Sequence, residues 1–389
     1  MVQMMFEQEL SQLEKQHLLR RFMVIESYDG PRITVNGRRL LLMCSNDYLG
    51  LSGHPSLREA AARAMEHYGF GSGASRLISG TSALHEELEK RIASFKGTES
   101  ALLFNSGYAA NTGIIPAIAG DGDVILSDSL NHASIIDGCR LSTANVVVYP
   151  HKDVDFVESA LKKSTSAKRT LIVTDGVFSM DGDIAPLPEL VMLAEKYGVI
   201  LMVDDAHATG VIGKTGRGTV EHFGLSGRIH IQMGTLGKAL GSFGAYAAGN
   251  RDVIEYLMNR ARSFIYSTAL PPAVCAASLT AFDIMEREPR LLKTLWKNRE
   301  RFVHGLAALG VVTGISETPI VPVMLGESEK ALRASGKLFD YGIYATAVRP
   351  PTVPEGSARI RATVTAAHSS GDIDTALAVF GRLKQEGYL

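Results

Sequence analysis

Two short apolar runs near the middle of the chain constrain its fold more than any other feature. The first, V-I-L-M-V at 199–203, leads into D-D-A-H, and the second, I-H-I-Q-M at 229–233, leads into G-T-L-G-K. Runs of this length that end in polar and turn-forming residues are typical of buried parallel strands. Because such strands need helices on both faces of their sheet, the two runs predict an α/β fold.

The same alternation extends through the central region. We predict further strands near 100–104, 123–127, 145–149 and 169–174, and helices near 56–68, 82–95, 107–118, 132–141, 153–162 and 187–197. Strands that alternate with helices in this way predict a mostly parallel sheet covered on both sides.

The pattern changes after residue 272. Long helices are predicted at about 273–286 and 289–309, short strands near 318–324, 343–348 and 358–364, and a last helix at about 371–386. The chain begins with an amphipathic helix over 3–20 and a hairpin that turns at Asn36-Gly37. We therefore predict an N-terminal arm (1–45), a large domain (46–272) and a smaller α+β domain (273–389).

The composition argues against partners that bind through bulk charge. The 389 residues include 40 basic and 41 acidic side chains, so we expect neither a nucleic-acid nor a membrane partner. Cys44, Cys139 and Cys275 are widely spaced and lack metal-site spacing, which favours free thiols, a reducing compartment and no bound metal. The first residues lack a signal-peptide pattern, and no apolar run reaches the roughly 20 residues that span a bilayer. We expect a cytoplasmic protein.

The ends of the two central strands carry the chemistry. Ligands of open α/β sheets bind outside the carboxyl ends of the strands, and these ends carry Asp204 and His207, then Thr235 and Lys238. A lysine for a Schiff base and an acid beside a pyridinium nitrogen are what pyridoxal phosphate requires. The acid keeps the ring nitrogen protonated, because an opposite charge in contact favours the charged form. Asp205 alternates to the other side of the strand, so we expect it to have a structural role.

Three further strand ends can complete a cofactor site. Gly107 and Tyr108 open a helix, where free N–H groups suit a phosphate. His132 could lie on a pyridine ring or donate to a substrate oxygen, although a histidine at a helix start is more often a cap. Ser179 could hydrogen-bond the cofactor.

A predicted strand near the C-terminus carries Arg359 and Arg361, which face the same side because they are two residues apart. A guanidinium can hold a substrate carboxylate by two parallel hydrogen bonds. A solvated strand arginine is the alternative for either residue.

Six motifs spread over nearly the whole chain belong together: S-N-D-Y-L-G, G-S-G-A-S-R-L-I-S-G, N-S-G-Y-A-A-N, D-G-V-F-S-M-D-G-D, V-D-D-A-H-A-T-G-V-I-G and G-T-L-G-K-A-L-G. Together they resemble the motifs of the α-oxoamine synthases, a family of fold-type-I pyridoxal-phosphate enzymes. The resemblance implies a mostly parallel sheet of the seven-stranded type, a pyridoxal 5′-phosphate cofactor and a homodimer with its site at the subunit interface. It also implies that an amino acid condenses with an acyl thioester and loses carbon dioxide.

The resemblance assigns roles to individual residues. Lys238 matches the Schiff-base lysine, Asp204 the partner of the pyridinium nitrogen and His207 the partner of the phenolic oxygen. His132 matches the histidine that stacks on the ring, and with Lys238 and Asp204 it forms the catalytic set. The rest of the cofactor site matches Gly107, Tyr108, Ser179 and Thr235. The substrate contacts match Asn46, Thr352, Arg361 for a carboxylate, and one of Arg20 and Arg21.

Two segments narrow the substrates. R-P-P-T-V-P-E-G-S-A-R-I-R and Y-S-T-A-L-P-P-A most resemble members that join L-alanine to a pimeloyl thioester, carried by coenzyme A or a carrier protein, in biotin biosynthesis. Those members often carry glutamate where this chain has Asp175, and aspartate there also fits members that join glycine to acetyl-coenzyme A, which are the alternative. From other classes, a non-catalytic partner subunit should lack Lys238 or its acid, and an aminotransferase should accumulate pyridoxamine.

Overall fold

The structure is a computed structural model that describes residues 2–389, with side chains from Phe6 onward. Met1, the first residue of the predicted arm, lies outside the described residues. The helices are α1 Val2–Lys15, α2 Pro55–Tyr68, α3 Ala83–Lys96, α4 Gly107–Ile118, α5 Ala133–Leu141, α6 Val154–Lys163, α7 Leu187–Tyr197, α8 Thr219–His222, α9 Arg251–Arg260, α10 Arg262–Ile265, α11 Pro272–Arg287, α12 Arg290–Ala308, α13 Ser328–Asp340 and α14 Ser370–Gln385.

The strands are β1 Ser27–Asp29, β2 Arg32–Val35, β3 Arg38–Leu42, β4 Ser100–Phe104, β5 Val124–Asp128, β6 Asn145–Tyr149, β7 Thr170–Asp175, β8 Ile200–Asp204, β9 Ile231–Thr235, β10 Ala245–Gly249, β11 Ile320–Gly326, β12 Ile343–Tyr344, β13 Ala347–Val348 and β14 Ala358–Thr363. A single π-helical turn at Arg76–Gly80 precedes α3.

The central sheet has seven strands in the order β4-β10-β9-β8-β7-β5-β6. The parallel core, β6-β5-β7-β8-β9, contains strands that the sequence analysis predicts to within two residues. β10 is antiparallel to both of its neighbours and is absent from the sequence predictions. Its sequence, A-Y-A-A-G, lacks the β-branched residues that indicate a strand.

Alternate residues of the central strands pack into two separate cores. In β8, Met202 packs with residues of α4 and α5, whereas Leu201 and Val203 pack with residues of α6 and α7. The strand therefore buries both of its faces, which explains why it reads as a continuous apolar run. The same period of two places the carboxylate of Asp204 on the side of Met202.

The chain forms two compact units. The larger comprises Asp47–Ser179 and Asp183–Leu292, and the smaller comprises the chain up to Asn46, Met180–Gly182 and Lys293–Leu389. Residues 273–292, which the sequence analysis assigns to the small domain, fall in the larger unit. Their helix, α11, packs on α2 and α3 within that unit.

The smaller unit holds two sheets. β11, β14 and β13 form an antiparallel sheet, and β1, β2, β3 and β12 form a second sheet in which β12 runs parallel to β3. The predicted hairpin turn is confirmed: Asn36 and Gly37 have φ of 50° and 69°, the left-handed pair of a type I′ turn.

Helices α8, α9, α10 and α13 are absent from the sequence predictions. Ser335-Gly336 lies inside α13 and weakens its local helix signal. The helix nevertheless buries Ala331, Ala334 and Leu338, so tertiary packing decides its conformation. Among the residues that the structure describes, no helix is long and apolar enough to cross a membrane.

Candidate active site

One cavity of about 200 Å³ in the larger unit gathers most residues of the predicted cofactor site. Of the eight predicted residues, it is lined by Gly107, Tyr108, His132, Asp204, His207, Thr235 and Lys238. Ser134, Asp175, Ala206 and Met233 also line it. The eighth residue, Ser179, lies in the turn after β7 and is not part of this lining.

Asp204 ends β8 and is held at both carboxylate oxygens. Its Oδ1 accepts a hydrogen bond from the backbone N–H of Ala206 at 2.9 Å. Its Oδ2 accepts one from Nδ2 of Asn111, on α4, at 2.8 Å. The carboxylate is 3% exposed, so it is fixed in place at the floor of the cavity.

Asp205 has the structural role that its place in the sequence predicts. Its carboxylate forms an ion pair with Lys96 at 2.9 Å, and neither side chain is exposed to solvent. The hydroxyl of Thr219 donates to the same carboxylate at 2.5 Å. The two consecutive aspartates therefore have different functions, because they point to opposite sides of the strand end.

Lys238 follows β9 and its amine reaches the cavity. Nζ lies 2.9 Å from Nε2 of His207, whose Nδ1 lies 2.7 Å from the hydroxyl of Tyr48. The imidazole therefore connects the amine to a buried tyrosine, which limits the rotation of both side chains. Thr235, three residues before the lysine, accepts a hydrogen bond from the N–H of Gly237 at 3.2 Å and donates to the carbonyl of Gly244 at 2.9 Å.

His132 is the N-cap residue of α5. Its backbone N–H donates to Oδ2 of Asp175 at 2.7 Å. Burial lowers the pKa of His132; the negative charge of Asp204 opposes this shift, and the positive charge of Lys238 adds to it. Burial also raises the pKa of Asp175 well above its usual range, and the charge of Asp204, its register partner on β8, acts in the same direction.

The N-terminus of α4 supplies anion-binding groups. Ser106 caps the helix by accepting the N–H of Ala109 at 3.1 Å. The N–H groups of Gly107 and Tyr108, in the same first turn, are directed out of the helix end. A Cβ on Gly107 would lie 3.2 Å from Cε of Met233, so glycine keeps this end of the cavity open. The hydroxyl of Tyr108 donates to Asp137 of α5.

The predicted substrate residues all lie in the smaller unit. Asn46 has a buried Oδ1 that accepts no hydrogen bond in the described part of the chain. Thr352 is exposed in a turn closed by its N–H bond to the carbonyl of Arg349 at 3.1 Å. Arg20 and Arg21 are both exposed, and Arg21 forms an ion pair with Glu14 of α1 at 3.3 Å.

The two arginines of β14 have different partners. Arg359 forms an ion pair with Asp181 at 2.5 Å and is 3% exposed. Arg361 is also buried and donates to the hydroxyl of Thr363 at 3.1 Å. The guanidinium of Arg359 is thus neutralised by a carboxylate of the chain itself.

Three polar residues that hold the functional side chains in place, Tyr48, Asn111 and Ser134, are not among those predicted from the sequence. Tyr48 and Asn111 lie inside quoted motifs, S-N-D-Y-L-G and N-S-G-Y-A-A-N, and Ser134 lies two residues after His132. The contacts of Tyr48 with His207 and of Asn111 with Asp204 and Ser134 join residues that are distant in sequence, so only the fold reveals them.

The residues present fit pyridoxal phosphate. The cavity combines an amine, a fixed carboxylate and a helix N-terminus, which match the aldehyde, the ring nitrogen and the phosphate of that cofactor. Thr235 lies on the same lining. The structure thus brings groups that fit these three parts of the cofactor together within one unit of the fold.

The sequence of the chain is similar to a known family of enzymes and to individual members of it. The family model for class I and II aminotransferases matches residues 38–380. The chain is 53% identical over 380 residues to an 8-amino-7-oxononanoate synthase of Geobacter sulfurreducens, with 97% of each chain covered. It is 47% identical over 378 residues to 8-amino-7-oxononanoate synthase 1 of Bacillus subtilis, covering 97% of this chain and 96% of that one.

Solved structures show the same fold. A serine palmitoyltransferase from S. paucimobilis, with bound PLP and myriocin, is 33% identical and superposes with a TM-score of 0.94 over 99% of this chain and 98% of its own. An 8-amino-7-oxononanoate synthase from Francisella tularensis is 30% identical, with a TM-score of 0.77 over 90% of this chain and 99% of its own.

Proposed function

The chain belongs to the class I and II aminotransferase family, and we propose that the cavity of its larger unit is the active site of an 8-amino-7-oxononanoate synthase. Such an enzyme is a C-acyltransferase that condenses L-alanine with a pimeloyl thioester in biotin biosynthesis, releasing carbon dioxide and the free thiol. One observation carries the assignment. Lys238, Asp204 and the N-terminus of α4 line one cavity, in a chain about half identical to these synthases over 97% of its length.

When bound, pyridoxal phosphate supplies an aldehyde for an amino group and a protonated ring that accepts the electron pair of the substrate α-carbon. Asp204 would hold the proton on the ring nitrogen through charge attraction, and Asn111 fixes the carboxylate for that task. The N–H groups of Gly107 and Tyr108 would bind the phosphate, and the hydroxyl of Thr235 would join them by turning its proton away from the carbonyl of Gly244.

Lys238 has two tasks. Its amine would hold the aldehyde of the bound cofactor, and it would take or return the proton at the α-carbon of alanine. His207, 2.9 Å from that amine, keeps it directed into the cavity. His132 would cover the ring, and Ser179, in the turn after β7, would complete the cofactor contacts.

We assign the α-carboxylate of alanine to Arg361, which the motif resemblance matches to the carboxylate-binding arginine of the family. Asn46 and Thr352 complete the substrate contacts. Of the two arm arginines we favour Arg20, since Arg21 forms an ion pair with Glu14. The charge of Arg20 also acts on Arg349, whose pKa is lowered by burial and then by that charge.

We further propose that the enzyme acts as a two-fold homodimer in the cytoplasm. The larger unit exposes Phe70, Ile78 and Tyr266 to 82%, 81% and 71%, more than isolated apolar side chains of a monomer require. A self-complementary two-fold contact is the commonest way to cover such residues. The free thiols of Cys44, Cys139 and Cys275 are consistent with a reducing compartment.

A substrate comparison tests the function. The purified protein with pyridoxal phosphate should turn over L-alanine and pimeloyl-coenzyme A with a much larger kcat/KM than glycine and acetyl-coenzyme A, as measured by thiol and carbon dioxide release. Lys238→Ala should abolish the reaction, whereas Lys214→Ala, at an exposed lysine between β8 and α8, should not change it. A preference for the glycine pair, or no turnover of either pair, would contradict the proposal. A pimeloyl-carrier protein in a third assay identifies the acyl carrier.

A further inference from the structure

The imidazole of His132 has more hydrogen-bond partners than a helix cap needs. Its Nδ1 accepts the backbone N–H of Ser134 at 3.2 Å, and the hydroxyl oxygen of Ser134 lies 2.7 Å from the same nitrogen. A backbone N–H can only donate, so Nδ1 must present its lone pair. The ring proton of the neutral imidazole is therefore on Nε2.

The orientation of the Asn111 amide, which links Ser134 to Asp204, is determined in the same way. Nδ2 of Asn111 lies 2.8 Å from Oδ2 of Asp204 and 2.9 Å from Oγ of Ser134. An ionised carboxylate only accepts, so the amide must turn its NH2 group to it, and the second amide hydrogen is donated to Ser134. The serine hydroxyl then donates its own proton to Nδ1 of His132.

Asn111 takes this orientation at a cost. Its Oδ1 is buried and accepts no hydrogen bond from the described residues. A buried acceptor without a donor is unfavourable, and the fold tolerates it only if another contact of the same side chain compensates. The two donated bonds, to Asp204 and Ser134, are that compensation.

The chain contains its own reference for a histidine cap. His54 is the N-cap of α2, and its Nδ1 accepts the backbone N–H of Ser56 at 3.2 Å, the same local geometry as His132 and Ser134. No hydrogen bond from the Ser56 hydroxyl to His54 is found, and no asparagine side chain joins them, within residues 2–389. Capping therefore accounts for the first bond to His132, but not for the path through Ser134 and Asn111.

We propose that Ser134 and Asn111 are positioning residues that hold His132 as the neutral Nε2–H tautomer, so that it acts in the cavity as a hydrogen-bond donor to a substrate oxygen. The path also joins the histidine to the carboxylate assigned to the ring nitrogen. That the acceptor is a substrate oxygen, a carboxylate or a thioester carbonyl, rests on the proposed function. The tautomer follows from the fold of the larger unit alone.

Several charged groups surround the His132 ring. Asp204 from β8 and Lys238 after β9 act on it with opposite signs, and Asp175 from β7 binds its backbone N–H. His207 and Tyr108 line the same cavity. The positive end of α5, at which His132 lies, also disfavours an imidazolium.

Nuclear magnetic resonance of protein labelled with 15N in the histidine rings tests the tautomer directly. In the holoenzyme and in the protein without cofactor, the signal that disappears in His132→Asn should show a protonated Nε2 and a bare Nδ1 from pH 6 to 8. An Nδ1–H tautomer or an imidazolium in that range would overturn the proposal.

Variants at Ser134 test the path. Ser134→Ala should shift the titration of His132 to higher pH, because one donor to Nδ1 is lost. It should also lower kcat about three- to tenfold, the contribution of one neutral hydrogen bond, with a smaller change in KM. Ser134→Thr, which keeps the hydroxyl, should restore both values, and Ser56→Ala should leave the His132 signal and kcat unchanged. If Ser134→Ala titrates and turns over like the parent, Ser134 is only a packing residue and the proposal fails, whichever substrates the enzyme prefers.

Discussion

At the scale of single residues, the adjacent carboxylates of Asp204 and Asp205 have different roles, one in the reaction and one in the stability of the fold. Asp204 faces the cavity with its oxygens held by neutral donors, whereas Asp205 is paired with the buried Lys96. We expect Asp204→Asn to lower kcat by at least about 100-fold, because an amide cannot hold a proton on the ring nitrogen by charge. Its free energy of unfolding should change little, as measured by urea denaturation.

The neighbouring substitution should have the opposite effect. Asp205→Asn leaves the ammonium of Lys96 buried without a counter-ion, which should cost about 3 kcal/mol of unfolding free energy. The surviving folded fraction should retain the parent's absorption spectrum with pyridoxal phosphate. If Asp205→Asn instead lost the cofactor spectrum at full stability, the separation of roles would be wrong.

His151 makes the stability of the larger unit depend on pH. Burial tends to lower its pKa, but hydrogen bonds to Asp128 and Asp183, both at 2.9 Å, outweigh burial and raise the pKa to about 9. Lys152 is the other charged group on this cluster, 3.1 Å from Asp183. His151 thus binds its proton more tightly in the folded protein than in the unfolded chain, where its pKa is about 6.5.

This stabilisation should be complete below about pH 6.5 and should disappear as the pH rises through about 9. We expect a loss of about 2 kcal/mol in unfolding free energy over that range, allowing for solvent screening of a side chain that is one-quarter exposed. Urea denaturation at several pH values measures it. His151→Gln should remove this part of the pH dependence, and an unchanged slope in the variant would assign it to other groups.

At the scale of secondary-structure elements, the close contact of α4 and α5 places Asn111 beside Ser134. A Cβ on Gly138 of α5 would lie 2.7 Å from the carbonyl oxygen of Asn111 and 2.9 Å from Cδ1 of Ile115. Gly138→Ala must therefore separate the two helices. We expect it to cost about 1–3 kcal/mol of unfolding free energy and to lower activity.

The matched control is Gly336→Ala in α13, where an added Cβ meets no atom within 4 Å. Replacing a helical glycine with alanine there should be neutral or should stabilise by up to about 1 kcal/mol. Thermal or urea denaturation compares the two variants. Equal effects would show that helix propensity, rather than the contact between α4 and α5, decides the cost at Gly138.

The elements also show what the sequence could reveal. The parallel strands are predicted well because burial on both faces leaves a local apolar signal. β10 is missed because its residues fit the neighbouring strand β9, which the local sequence does not show. The ring of Tyr246 lies where a Cβ on Gly234 of β9 would be, with the tyrosine oxygen 2.3 Å from that position. Lys238 and Asp204 are found from their strand ends, whereas Asn111 and Ser134 acquire meaning only when α4 and α5 meet.

At the scale of the whole molecule, the exposed apolar side chains of the larger unit predict a dimer. Phe70→Asp and Ile78→Asp together should shift the molar mass from dimer to monomer in light scattering, because they place charges in the proposed contact. Ile315→Asp, at an equally exposed isoleucine of the smaller unit, should not. A parent protein that is monomeric at micromolar concentration would refute the dimer.

The smaller unit is assembled from both ends of the chain, and this has a consequence for biosynthesis. β3, near the N-terminus, pairs with β12, near the C-terminus, whereas nearly all of the larger unit lies in the uninterrupted span between them. During translation the larger unit can therefore fold as soon as it leaves the ribosome, while the N-terminal arm has no partner until synthesis is almost finished. A nascent chain stalled far enough beyond residue 292 for that residue to have left the ribosome would carry a folded larger unit together with an arm still available to chaperones.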